Sequence, residues 1–426
     1  MLPHSLLMAH DVSCPRRPQL VNGQLALRNR IYNISEAADM RVVWRQRFRA
    51  FANEQPLSVP GASQYCRWLS HQQWPFCRHA VADAAGMPAP SPREAVLAAT
   101  SRLPRDVHVY NTLMLVSMPC AFTDEGSNFR GALYDSRRIL NAQHRSATPR
   151  FARGAVDHYP IAAVGLTPYG HLADSHFYAS TAPWVLQLLH LLPEDVPILV
   201  SLSKRLRELY LRLGVQLDRL KTLPRGGAAY ADRMLSLVTT PFGALEPLGA
   251  ASLALVQTRL RRVPMPPRNQ RMAVILLSRA DQAPRRSLRN EAALLHALEA
   301  VVGPAYAVEV FRGAQRDQRM VDRAATFSRA ALLTGPHGGA FLNAIYCASG
   351  TPIVEIGYKS KHPMPYPSYY LTYARRLELP FWLVLGEGAY DRPITAPVGE
   401  IAGLVQALLS AHQRSGRESR GEDRGA

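Results

Sequence analysis

Five short apolar runs in the second half of the chain constrain its fold more than any other feature: Met272–Leu277, Tyr306–Phe311, Ala330–Thr334, Thr351–Ile356 and Pro380–Leu385. Each has the length of a buried strand. Segments with helical spacing alternate with them: Asn290–Val302, closed by Gly303-Pro304, then Gln315–Ser328, Gly339–Cys347 and Ser368–Leu377. A strand that is apolar on both faces must be covered on both, and the helices supply that cover. The pattern excludes a helical bundle and an antiparallel sandwich and predicts an α/β fold with a doubly wound parallel sheet. A last helix is expected over about Pro397–Gln413, followed by a disordered polar tail from Arg414 to Ala426.

A looser form of the same rhythm occupies the first half. Val107–Tyr110, Leu113–Met118, Ile161–Leu166, Pro197–Val200 and Leu235–Thr239 read as strands. Thr181–Leu192, Ser203–Leu213 and Gly249–Val263 read as helices, with Ser203 as a cap and Gly214 just past the helix end. Pro264–Pro267 interrupts the alternation. The expected organisation is an irregular extension over 1–100, a first lobe over 101–262, a second over 263–395, and a closing helix and tail over 396–426. A length of 426 residues accommodates two or three domains.

Composition narrows the function classes. An apolar fraction of 47% with 19% charged residues excludes a mostly disordered chain. There is no run of 18 apolar residues, so no membrane span is expected. Met1–His10 has neither a basic start nor a long apolar stretch, so no signal peptide is expected either. The net charge of +18 points to an anionic partner. Only four of the 50 basic residues are lysine, and the arginines are spread along the chain, so nucleic acid is not expected. The cysteines, Cys14, Cys66, Cys77, Cys120 and Cys347, match no zinc spacing, and no metal site is expected. Cys66 and Cys77 either pair in an oxidising compartment or stay free thiols. One sequon, Asn33-Ile34-Ser35, is a weak pointer to a secretory route.

Two stretches carry chemistry. The first is Leu332-Leu333-Thr334-Gly335-Pro336-His337-Gly338-Gly339-Ala340-Phe341-Leu342-Asn343, followed by Gly350-Thr351-Pro352-Ile353-Val354-Glu355. It reads strand, tight turn, helix, strand. Gly338 and Gly339 let a ligand approach the backbone, and the new helix offers unpaired N–H groups to a diphosphate. His337 stands at the mouth of the turn and Asn343 inside the helix. Glu355, near the end of the next strand, is placed to accept hydrogen bonds from sugar hydroxyls. The second stretch, Ser278-Arg279 followed by Arg285-Arg286-Ser287-Leu288-Arg289-Asn290-Glu291, brings arginines to a strand end. Arginine suits bidentate phosphate contacts. A third stretch, Tyr358–Tyr370, is rich in aromatic rings that can stack on sugars.

Together these residues resemble glycosyltransferase family 61: Ser278-Arg279, then Arg286-x-Leu288-x-Asn290-Glu291, then Gly335-x-His337-Gly338 through Asn343, then Gly350-Thr351 to Glu355. Gly339-Ala340 replaces the family's commoner Ala-Gly, which keeps both positions small. The resemblance is specific over about 270–385 and looser over 105–250. It implies a GT-B fold, two Rossmann-like lobes facing across a cleft. It implies inverting transfer of N-acetylglucosamine, xylose or arabinose from a UDP-sugar to a protein or polysaccharide hydroxyl, with no cofactor beyond the donor; the alternatives are a non-catalytic binder of anionic polymer, suggested by the +18 charge, and a glycosyltransferase-like fold lacking activity. Ser278, Arg279, Arg286, Asn290, His337, Gly338, Gly339, Asn343 and Glu355 are then the candidate donor site. His176 and Asp174, in His171–Tyr178, are the candidates for the base that takes the acceptor proton. The family's eukaryotic members imply the Golgi or endoplasmic reticulum lumen. The lack of a visible signal points instead to the cytoplasm.

Overall fold

The computed structural model describes residues 14, 41–51, 108–124, 133–134, 139–140, 156–167, 177–223, 227–240, 256, 266–267, 270–281, 285–313, 320–358, 370, 373–374 and 377–422. They divide into two units. One holds the described residues of Met1–Ala50 and Tyr110–Leu260, the other those of Phe51–Val109 and Arg261–Ala426.

The first unit carries an eight-stranded mixed sheet. Its strands are β1 (Arg41–Phe51), β2 (His108–Asp124), β3 (Leu133–Tyr134), β4 (Ile139–Leu140), β5 (Val156–Val164), β6 (Ile198–Leu199), β7 (Leu220–Lys221) and β8 (Ala228–Thr240). Their order is β4-β3-β2-β8-β5-β6-β7, with β1 also paired to β2. The ladder β8-β5-β6-β7 is parallel, as the strand–helix rhythm predicts. β2 departs from it, running antiparallel to β8 from Thr112 to Asp124. It also passes through Pro119, beyond the expected strand end. Cys120 takes a positive φ of 49° and drops out of the ladder, so the strand accommodates the proline without ending. Cys120 is bonded to Cys14, 106 residues earlier in the chain. The expected partners Cys66 and Cys77 lie outside the described residues.

Inward-facing Val116, Met118, Ala162, Val164, Leu199 and Met234 form the core of this sheet. Helix α1 (Ala182–Leu191) covers the other face, where its Val185 meets Ile198 and Val200 around Gly165, and Trp184 Nε1 donates to the Val164 carbonyl at 3.1 Å. Helix α2 (Lys204–Arg212) begins where the sequence places its cap: Ser203 Oγ accepts from Leu206 N–H at 3.2 Å. Gly214, with φ of 71°, ends it.

The second unit is built on a wholly parallel five-stranded sheet: β9 (Ala273–Ser278), β10 (Ala307–Arg312), β11 (Ala330–Pro336), β12 (Ile353–Tyr358) and β13 (Phe381–Gly386). β9, β11, β12 and β13 are buried along their whole length, which is why they read as unbroken apolar runs. β10 is the partly exposed edge. Helices α3 (Glu291–Val302), α4 (Met320–Ser328) and α5 (Val398–Glu422) cover the sheet, and α5 packs against α3. The expected α-helix after β11 is a 3-10 helix, Gly339–Tyr346. α5 runs to Glu422, through most of the expected disordered tail. Five of the nine added residues, Arg414 to Glu422, are Arg or Glu, which have high helix propensity, and extending a formed helix needs no new nucleus. Of the expected helix Gly249–Val263 only Val256 is described; of Ser368–Leu377 only Tyr370, Tyr373, Ala374 and Leu377 are.

The strand order, β10-β9-β11-β12-β13, sets the geometry of everything that follows. From β9 the chain moves out to the edge at β10 and returns to β11 on the other side. The connections leaving β9 and β11 therefore diverge, and a crevice opens at their carboxyl ends. The two strands approach closely there. Gly335, penultimate in β11, has φ of 153°, and a Cβ on it would lie 2.6 Å from the Leu277 carbonyl oxygen and 2.7 Å from Leu277 Cβ. Gly335→Ala therefore strains the backbone and wedges the strands apart. It should destabilise this unit by roughly 2–4 kcal/mol, read as a lower midpoint in thermal or urea unfolding.

Candidate functional site

The crevice is furnished by residues that leave the carboxyl ends of four strands. β9 ends at Ser278, whose buried hydroxyl donates to Glu291 Oε1 at 2.7 Å and accepts from Ala280 N–H at 3.2 Å. These bonds fix the direction in which the chain leaves the sheet and so where Arg279 goes. Asn290, at the start of α3, is equally committed. Its amide donates to the Ala396 carbonyl at 2.8 Å and its Oδ1 accepts from Ala396 N–H at 2.9 Å. Backbone bonds extend the lacing: Arg286 N–H to Arg392 O at 2.9 Å, Arg289 N–H to Ile394 O at 2.8 Å and Ile394 N–H to Ser287 O at 2.7 Å. The arginine loop after β9 is thus stitched to the loop after β13. Of the expected donor-site residues, Ser278 and Asn290 make these hydrogen bonds within the framework.

The framework presents three guanidiniums. Arg279 Nε donates to the Arg285 carbonyl at 3.3 Å. Arg285 and Arg286 lie over the ring of Tyr390 at 4.7 and 4.4 Å from its centroid. Arg286 has φ of 59°, uncommon for a residue with a side chain, and its Nε is buried without a hydrogen-bond partner. Among the described residues no carboxylate forms an ion pair with any of the three. Burial, with Arg286 and Arg285 alongside, pushes the pKa of Arg279 down from its ordinary value. A cluster of like charges held at this cost is of the kind found at functional sites and can accept an anion.

β11 delivers the glycine turn beneath them. Gly338 is buried, and a Cβ on it would fall on Arg279 Nη1, so the missing side chain makes room for the guanidinium. Gly339 opens the 3-10 helix, and Asn343, half-buried, donates to Ala340 O within it at 2.9 Å.

His337 and Glu355 form a pair. Glu355 lies opposite Gly335 in the β11–β12 register, two residues before His337. Its carboxylate is completely buried, with Oε1 2.5 Å from His337 Nδ1, whose N–H it accepts. Glu355 thus serves the histidine through Oε1. The Tyr370 ring stands edge-on to His337 at 4.8 Å. Burial pushes the imidazole below its usual pKa; Glu355 pulls it back up, and Arg286 and Arg279 add to the depression.

The sequence pointed to this cluster through Arg279, Arg286, His337 and Gly338. It missed Tyr390, which lies in no motif; the available signal was its place just past β13, at the same sheet edge. His176 and Asp174 lie outside the described residues. In the first unit His158 Nε2 is 2.8 Å from Asp232 Oδ1, but this exposed pair sits toward the amino ends of β5 and β8.

Residues 169–354 match the family model Glycosyltransferase 61. No curated protein matches the chain.

The depressed pKa of His337 has a measurable consequence. The unfolded chain binds the proton near pH 6.5 and the folded chain only at lower pH. The histidine's contribution to stability is therefore complete above about pH 6.5 and is lost as pH falls below it. His337→Gln should flatten the unfolding midpoint of this unit against pH between roughly 5 and 7, as followed by thermal melts across that range.

Proposed function

We propose that the chain, whose residues 169–354 belong to glycosyltransferase family 61, moves a sugar with inversion from a UDP-sugar to a hydroxyl of a protein or polysaccharide. The observation that carries this is the convergence of Arg279, Arg285 and Arg286 on one crevice without a carboxylate to neutralise them among the described residues. Guanidiniums match phosphate oxygens bidentately. As the bond between the anomeric carbon and the diphosphate breaks, charge grows on the leaving oxygen, and fixed cations stabilise it without reorganising. Arginine side chains supply that charge in this scheme, with no metal required. Gly339 lets the diphosphate approach the backbone N–H groups that open the 3-10 helix, beside the Arg279 guanidinium that lies against Gly338. N-acetylglucosamine, xylose and arabinose are the sugar classes that the family resemblance favours.

A GT-B arrangement is proposed, with the donor on the second unit and the acceptor on the first. His176 or Asp174, both inside the matched span, then takes the acceptor proton as the hydroxyl attacks in line. The Cys14–Cys120 disulfide supports an oxidising compartment, the endoplasmic reticulum or Golgi lumen, over the cytosol. Among the described residues no helix is long and apolar enough to cross a membrane.

The test is a panel of UDP- and GDP-sugars, scored by thermal shift and by donor hydrolysis. Arg279→Ala should weaken UDP-sugar binding by roughly 10- to 100-fold, the worth of charge-assisted hydrogen bonds, and leave acceptor affinity unchanged. Failure of every nucleotide-sugar to bind the wild type would refute the reading. Equal loss of donor and acceptor would turn Arg279 into a residue that shapes the site. His176→Ala should lower turnover by roughly 10²–10⁴-fold with UDP affinity intact, and Asp174→Asn is the comparison that transfers the role if His176→Ala is normal.

A further inference from the structure

Tyr390 touches both Arg285 and Arg286, yet neither the family motifs nor the proposed chemistry gives it a task. We propose that Tyr390 is a positioning residue of the donor site, its ring gathering the Arg285 and Arg286 guanidiniums into the spacing that a diphosphate requires. The inference rests on the donor-site reading above.

Two guanidiniums on one loop repel each other and carry long, free side chains. Something must draw them together before a ligand arrives, or ordering them weakens binding. A carboxylate would do it, but would neutralise the charge and compete with phosphate for the same N–H groups. An aromatic face attracts cations through its quadrupole, leaves their N–H edges uncommitted and carries no charge of its own. The 4.7 and 4.4 Å separations are within the range of that interaction.

The ring is itself held. Its loop leaves β13 at Gly386 and folds back in a narrow turn: Glu387 and Thr395 exchange backbone hydrogen bonds at 2.9 and 2.7 Å. Gly388, with φ of 155°, lies so close to Pro393 that a Cβ would be 2.6 Å from its carbonyl oxygen. Within the turn, Arg392 and Ile394 bond to the backbone of Arg286, Ser287 and Arg289. Tyr358, at the end of β12, packs edge-on to Tyr390 with centroids 6.2 Å apart. One rigid unit therefore carries both the ring and the backbone from which the arginines project. Arg286, with its positive φ, is held in place by Arg392 of the same turn.

The experiment measures UDP and inorganic pyrophosphate affinity by calorimetry for the wild type, Tyr390→Phe, Tyr390→Leu, Arg285→Ala/Arg286→Ala, and the triple variant that adds Tyr390→Leu to the arginine pair. Tyr390→Leu should weaken both probes roughly 3- to 30-fold, the worth of one or two cation–π contacts. Tyr390→Phe, which keeps the ring face, should stay within about twofold of wild type. In the arginine-free background Tyr390→Leu should change nothing further, because the ring acts through the arginines. A loss that persists there would mean that Tyr390 meets the ligand directly and would overturn the assignment. So would wild-type affinity in Tyr390→Leu with Arg279→Ala still weak, an outcome that leaves the donor site standing. If Tyr390→Leu fails to fold, the Phe variant decides: a tenfold or greater loss there refutes positioning by the ring face. A wild type that binds neither probe removes the donor site itself, and this inference with it.

Discussion

Arg279, Arg285 and Arg286 repel one another, and the carboxyl end of the second sheet is organised around holding them together. Every device there is local and of a different kind. Ser278 and Glu291 fix the exit from β9 by a hydrogen bond between side chains. Asn290 clamps Ala396 with two more. Tyr390 offers a face to two of the cations, and Gly338 gives up a side chain so that the third can lie on the turn. None of these contacts neutralises charge. The positive potential survives in a half-buried place where low dielectric makes it count.

The location follows from topology. A parallel sheet ordered β10-β9-β11-β12-β13 has one place where successive connections diverge, between β9 and β11. The arginine loop leaves from one side of that gap and the glycine turn from the other. Gly335 lets the two strands close up just below it, so Arg279 and Gly338 meet at the rim. The sheet thus brings together segments about 60 residues apart in sequence (Arg279 and Gly338), and it does so with strands too apolar to contribute charge themselves.

The second sheet was legible because burial on both faces leaves an uninterrupted apolar signal, and each of its five runs became a strand. The first was less so. β2 contains Pro119, which reads as a stop, yet the ladder to β8 continues past it in unchanged register, with Cys120 at positive φ. An antiparallel partner of that length has no mark in its own sequence; it is set by β8. In the site, Arg279, Arg286, His337 and Gly338 were recognisable from spacing. The framework role of Ser278 and Asn290 was not, because a polar residue beside a motif looks the same whether it faces a ligand or a backbone. Asn290 bonds 106 residues away, to a loop that no local pattern connects with it.

Glu355 shows why the burial of one carboxylate matters to the whole. It lies on the strand beside the glycine turn, and the electrostatic influence of Arg279 and Arg286 reaches its partner His337. A carboxylate free to swing toward those arginines would form the strongest ion pair available and close the site against an external anion. Burial alone does not prevent this, since a buried charge needs a partner. His337 is that partner. From two residues beyond the β11 register position, it engages Oε1 and anchors the carboxylate inside the sheet. Burial depresses the pKa of the imidazole, Glu355 opposes that shift, and the same arginines add to it. The pair and the cluster are therefore coupled through charge: the histidine holds the Glu355 carboxylate inside the sheet, and the arginines add to the burial that disfavours a charge on the histidine.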